Sequence, residues 1–231
     1  MAEVLIPALF SLILGIISIF SDRFVGYFEK FHEELISFSS GILITIILIE
    51  FMPIISDGAG FFNHFVYAYI ALGFVIFYSM EKYVYKHIPN NEIHARKDLG
   101  KIHFFGFSLD HMIIGMFLVI VWFLKSLTSL YLLIVPFLIG IIASSHSIRH
   151  LEKKIGNTWV GILIGLAIPF GSLIAFSILN YPQLLYSVFA LITGALLYLV
   201  VVDIIPKYRK GNIYWFVIGF LITTGFQLFT I

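Results

Sequence analysis

His146 and His150 stand four residues apart in an apolar stretch. On a helix that spacing stacks both imidazoles on one face, about 6 Å apart, and it is the spacing by which helices chelate zinc. A solvated pair of histidines near a helix end is the other use of the same pattern. Asp110 lies in a separate apolar stretch, with His111 beside it and His103 seven residues earlier. Two imidazoles and a carboxylate from adjacent helices suit zinc, iron or a similar divalent ion. Of 14 Lys and Arg and 13 Asp and Glu, only Glu50, Asp110 and Asp203 fall clearly inside apolar stretches, where a charge is costly and marks a functional candidate. Glu50 and Asp203 sit within a turn of a stretch's end, beside a proline that frees a backbone group. They suit an ion pathway, and equally an acid reaching interfacial water or neighbouring donors. Asp110 is deeper, about 12 Å into its stretch, too far for a short side chain to snorkel. His32, His64, His87 and His94 are in or near connections and read as surface residues; His87 and His94 suit weak metal scavenging. With no cysteine, thiolate zinc sites, iron–sulfur clusters, disulfides and cysteine nucleophiles are all excluded.

The elements that hold these residues follow from composition. The chain has 231 residues, 60% apolar and 17% aromatic, with 12% charged against about 25% in soluble domains. Mean hydropathy is +1.02. This is the composition of an integral membrane protein. A net charge of +1 gives no reason to expect a nucleic-acid partner. Apolar stretches recur at 4–20, 35–55, 61–80, 102–124, 127–148, 158–179, 184–205 and 213–231, each near the roughly 20 residues that cross a bilayer. They predict an all-α integral membrane fold of eight transmembrane helices in one polytopic domain, residues 1–231. The longest polar connection, 81–101, is too small for a soluble domain. The first stretch has no basic n-region and no obvious cleavage site, so it reads as a retained helix.

Charge placement predicts the orientation. Arg23 and Lys30, then Lys82, Lys86, Arg96, Lys97 and Lys101, then Arg149, Lys153 and Lys154, then Lys207, Arg209 and Lys210 follow spans one, three, five and seven. Only Lys125 lies on the opposite side. By the positive-inside rule the basic side is cytoplasmic and both termini are extracytoplasmic, in a multi-pass protein of the cell membrane. Within this frame, Gly41, Glu50 and Pro53 of span two have the spacing of Gly194, Asp203 and Pro206 of span seven. Span two runs outward and span seven inward. Leu72-Gly73-Phe74 in span three has a weaker echo in Ile218-Gly219-Phe220 of span eight. The pattern predicts an inverted 3+2+3 repeat, with spans four and five between the halves, a construction of secondary transporters.

Residues Ala190 to Pro206 closely resemble the seventh helix of the ZIP (Zrt/Irt-like) metal transporters. Ser39-Ser40-Gly41 through Pro53 resembles the family's second helix, Leu72-Gly73-Phe74 through Glu81-Lys82 the end of its third, and Ile168-Pro169-Phe170-Gly171 its sixth. The resemblance covers nearly the whole chain. It implies eight helices with both termini outside, inverted outer halves, a longer cytoplasmic connection after the third helix, and transport of a divalent metal. Helix four of the family carries His-Asn-x-x-Asp and helix five His-Glu-x-Pro-x, together building a two-metal centre. The matching residues here are Gly106 to Asp110 and His146 to His150. Three of the four first-site positions, Asp110, His146 and His150, keep ligand types, and Gly106 does not. His103 and His111 are nearby replacements off the matching positions. The second-site positions are Phe107 and Ser147, which implies one metal or none. Arg149 stands where the family has proline, and a permanent cation there opposes a divalent ion unless it reaches the inner interface. His146 is about 28 Å along span five from Leu127, nearer the cytoplasm than Asp110. The ligands come level if that helix continues past Arg149 toward Lys153 and Lys154.

The leading expectation is therefore divalent metal transport, zinc foremost, through a mid-membrane site of Asp110, His146 and His150, with Glu50 and Asp203 on an ion pathway. It needs no organic cofactor and no enzymatic step. The partners are the metal ions and the lipid bilayer, and a homodimer is an admissible assembly. Two other readings stay open. One is an intramembrane zinc hydrolase with Asp110 as base. The other is a ZIP-like binding or scaffold protein without transport, motivated by Gly106, Phe107, Ser147 and Arg149.

Overall fold

A computed structural model describes the backbone of residues 2–23, 30–86, 92–124, 127–155, 159–204 and 211–228, and the side chains among them except at 2–4, 22, 81, 84–85, 92–103, 127–128, 145–155 and 203–204. The described residues are 95% helical and contain no strand. Among the described residues eight main helices follow in chain order: α1 (Ala2–Phe20); α2 (His32–Thr45), continued by a π-helical turn (Ile46–Phe51) and a last segment (Met52–Asp57); α3 (Val66–Lys86), preceded by a short helix (Ala59–Phe62); α4 (Glu92–Leu124); α5 (Leu127–Ile155); α6 (Trp159–Ile178); α7 (Pro182–Leu199), continued by a second π-helical turn (Val200–Ile204); and α8 (Ile213–Leu228). Five have windows long and apolar enough to cross a membrane, and Leu5–Phe20, Ser129–Ser144 and Ile213–Leu228 are shorter apolar helices among the described residues. The eight-helix count matches the sequence expectation.

Two helices overrun their apolar stretches. α4 starts at Glu92, inside the segment expected to be a polar connection, and α5 runs to Ile155 rather than stopping near residue 148. The added residues are mostly charged or otherwise good helix formers, Glu92, Ala95, Arg96, Lys97, Leu99 and Lys101 in α4 and Leu151, Glu152, Lys153 and Lys154 in α5. No proline interrupts either run. At 33 and 29 residues these helices are about 50 and 43 Å long, well beyond a hydrocarbon core of about 30 Å.

Close packing sorts the helices into two groups. A Cβ added to Gly41 of α2 would run into the carbonyl of Phe216 on α8, and one on Gly219 of α8 into that of Phe38 on α2. Gly73 of α3 and Gly194 of α7 are related in the same reciprocal way, through the carbonyls of Leu191 and Ile70. On the other side of the protein, Gly115 of α4 faces Ile168 of α6, and Gly15 of α1 faces Gly165 of α6. Backbones approach this closely in membranes because small residues let dispersion contacts form along the whole crossing. Thus α2 with α8 and α3 with α7 form tight pairs, while α1, α4 and α6 form a second tight set that α5 joins through α4.

Phenylalanines fill the space where the groups meet. Phe51 of α2 stacks on Phe117 of α4 at 5.1 Å and 10°, and Phe189 of α7 meets Phe51 edge-on at 5.1 Å. Phe137 of α5 closes the cluster against Phe117 at 6.1 Å. Phe51, Phe117 and Phe189 have no exposed surface. The π turn that delivers Phe51 has a local cause. Pro53 offers no N–H to the helix ladder, and the Met52 N–H reaches back five residues to the Ile47 carbonyl.

Candidate metal site

Asp110 sits on α4 one turn beyond Gly106, on the same face of the helix. Its side chain is 32% exposed. Gly106 is exposed, and among the described residues an added Cβ there meets nothing within 4 Å. Beyond Asp110 the same face closes, with Ile113, Ile114 and then Phe117 buried. The carboxylate is thus between the exposed Gly106 position and the sealed phenylalanine cluster.

His111, the neighbour of Asp110, points elsewhere. It is fully buried, and its Nδ1–H donates to the Phe107 carbonyl at 3.0 Å. A carbonyl can only accept, so in the neutral ring Nε2 is the acceptor, and the Ser18 hydroxyl of α1 donates to it at 3.0 Å. Nδ1 is 3.9 Å from an Asp110 carboxylate oxygen. Both ring nitrogens are therefore engaged between α4 and α1, and ligation by His111 requires breaking one of these bonds.

The other residues read from the sequence divide as follows. His146 and His150 both lie on α5, on one continuous helix that extends past Arg149 to Ile155, as levelling with Asp110 requires. α5 packs against α4. The side chains of His103, His146, His150 and Asp203 lie outside the described residues. Among the described residues no three His, Asp or Glu side chains form a group that could hold a metal.

Glu50 is on the π turn of α2 and is 8% exposed. Ser129, near the start of α5, donates its hydroxyl to Glu50 Oε1 at 2.7 Å. Of the two uses the sequence allowed for this acid, contact with a neighbouring donor has a named partner. Asp203 is on the π turn of α7. Both acids at the proline-flanked positions thus sit in π-helical backbone, a geometry frequent at functional sites.

Sequence reading did not single out Ser18, Ser129 or the Phe51, Phe117 and Phe189 cluster. Small hydroxyls in apolar stretches, and phenylalanines in a chain with 25 of them, carry no periodic signal. The Pro53 position was the one available hint of the π turn. No known protein family and no curated protein matches this chain.

Proposed function

We propose that the chain is a ZIP-like transmembrane carrier of a divalent metal ion, zinc foremost, with Asp110, His146 and His150 as the ligands of a single mid-membrane station. The observation that carries this reading is the position of Asp110: a partly exposed carboxylate beside the open face at Gly106, directly below a sealed aromatic cluster. A transport site must be reachable from one side while closed to the other, and exposure at Gly106 with closure at Phe117 supports access from the basic end of α4. Imidazole and carboxylate bind a divalent ion without thiolate, which favours release as well as capture.

An inverted repeat is supported by two sets of facts. Glu50 and Asp203 are each nine residues after a closely packed glycine, and each lies on a π turn. Exchanging span two for seven and three for eight turns the Gly41–Gly219 crossing into the Gly194–Gly73 crossing. Access then alternates as the α2, α3, α7 and α8 group moves against the α1, α4, α5 and α6 group, with the phenylalanine cluster as the surface that parts. The basic residues after spans one, three, five and seven support an orientation with both termini outside the cell membrane.

Proteoliposomes with an encapsulated zinc-sensing fluorophore test the proposal. Wild type is expected to give zinc influx above empty liposomes, and Asp110→Ala to abolish it. Equal fluxes from the two would sink the reading. Bound metal with no flux from either would favour the binding or scaffold role to which Phe107, Ser147 and Arg149 point.

A further inference from the structure

The buried side of α2 is built of pairs that recur every four residues: Ile42 and Leu43, Ile46 and Ile47, Glu50 and Phe51, Ile54 and Ile55. An α-helix turns about 100° per residue, so each step of four adds about 40°, and three steps would carry the last pair about 120° around the helix from the first. All four pairs are nevertheless buried. The π-helical turn at Ile46–Phe51 supplies the difference, because its extra residue takes back about 100°. The surplus lies on the other side of the helix, where Leu48 is 56% exposed and Ile49 37%.

Backbone alone does not settle which form this turn takes. A π turn is rare on its own account. A regular helix would set the Pro53 ring against the Ile49 carbonyl, four residues back, so the α form carries a cost as well. The choice therefore falls to the side chains that the turn delivers. Phe51 stacks on Phe117 of α4, and Glu50 accepts the Ser129 hydroxyl of α5 at 2.7 Å. Both contacts cross from the α2, α3, α7 and α8 group to the α1, α4, α5 and α6 group. The backbone form of α2 is thereby coupled to the closure of the phenylalanine cluster.

We propose that Ile46–Phe51 switches between a π and an α form and that this switch works the gate above Asp110. Conversion to the α form turns the segment beyond it, Met52–Asp57, by about 100° relative to the start of α2. Phe51 then leaves Phe117, Glu50 leaves Ser129, and the cluster is unsealed. The inference deepens the carrier reading and rests on it for what the gate admits.

Double electron–electron resonance on the full chain in lipid nanodiscs tests it, with spin labels at Ser56→Cys beyond the turn and Ser177→Cys on α6, both exposed positions. Wild type is expected to show one main distance and a minor second one. Ser129→Ala and Phe117→Leu each remove a contact that selects the π form, and each is expected to raise the second distance relative to the first about tenfold. Deletion of Leu48 removes the surplus residue at an exposed position and leaves the buried pairs in line on a continuous α-helix. That chain is expected to keep a Tm close to wild type and to show the main distance alone, also when Phe117→Leu is added. Both distances persisting after the deletion would mean that whole helix groups rock without the switch, and would overturn the proposal. A single unchanged distance in Ser129→Ala and Phe117→Leu would overturn it too, whether or not the deletion variant folds. These measurements use no metal, so a chain that switches but carries no zinc counts against the carrier reading alone.

Discussion

The Ser18 hydroxyl of α1 donates to Nε2 of His111 on α4 at 3.0 Å, so the imidazole next to Asp110 is tied to a different helix from the one that carries His146 and His150. Ser18→Ala removes the donor and leaves a ring nitrogen buried without a partner. The expected cost is about 1–3 kcal/mol. Thermal unfolding in detergent, followed by circular dichroism or tryptophan fluorescence, reads it as a fall in Tm. Ser177, exposed and bonded only to the Ile174 carbonyl of its own helix, is the control, and Ser177→Ala should leave Tm unchanged. A Tm for Ser18→Ala equal to that of the control would mean that the α1–α4 bond does not hold His111.

Gly106 occupies the first position of the metal motif that helix four resembles, and among the described residues nothing lies within 4 Å of a Cβ added there. Gly106→His therefore adds a ligand one turn from Asp110 without displacing any described neighbour. The variant is expected to fold as wild type does and to bind zinc roughly tenfold more tightly or better, because a fourth ligand joins three. Competition against a chromogenic chelator measures the affinity. Tighter binding with slower uptake would follow from a station that releases its ion less readily. Unchanged affinity would show that this face of α4 is not the metal face.

How much of this is legible in the sequence depends on the signal each feature leaves. The eight helices are readable because apolar windows of about 20 residues seldom arise except in membrane spans. The starts and ends of α4 and α5 are not, since residues 92–101 and 149–155 look like a polar connection by hydropathy and like a helix by propensity, and propensity wins. Gly41, Gly73, Gly194 and Gly219 form a visible pattern, but their use as backbone crossings needs coordinates. A π turn shifts the helical register by a single residue, too little for periodicity to reveal, so the backbone under Glu50 and Asp203 is hidden even with Pro53 and Pro206 in view. Asp110 is legible for the opposite reason: an acid deep in an apolar stretch has no bland neighbours to be confused with.

The glycine crossings predict a matched pair of effects. Gly41→Ala and Gly194→Ala each force a Cβ against a backbone carbonyl, of Phe216 and Ile70 respectively, and backbone cannot turn aside as a side chain can. Overpacking of this kind costs about 1–3 kcal/mol. Gly140→Ala and Gly225→Ala meet nothing within 4 Å among the described residues and are expected to be neutral or slightly stabilising, since alanine favours the helix by about 1 kcal/mol over glycine. Tm values of the four single variants decide the matter. Similar losses for Gly41→Ala and Gly194→Ala, with none for the other pair, are what equivalent crossings in two halves require. Damage at only one of the two would break that equivalence.

The absence of native cysteine makes the orientation directly testable. Asn180 is an exposed residue in the turn between α6 and α7, and Lys30 an exposed residue just before α2. The charge pattern puts Asn180 outside and Lys30 in the cytoplasm. Asn180→Cys in intact cells is therefore expected to react with a membrane-impermeant maleimide, and Lys30→Cys to react only after the cells are permeabilised. The two residues are separated by five spans on the eight-span assignment, an odd number, so they must lie on opposite sides. Labelling of both in intact cells would mean that a span has been miscounted between them, and labelling of Lys30→Cys alone would invert the whole molecule. Inversion would also exchange the sides served by the opening at Gly106 and by the sealed phenylalanines. Asp110 would then face the exterior in this conformation.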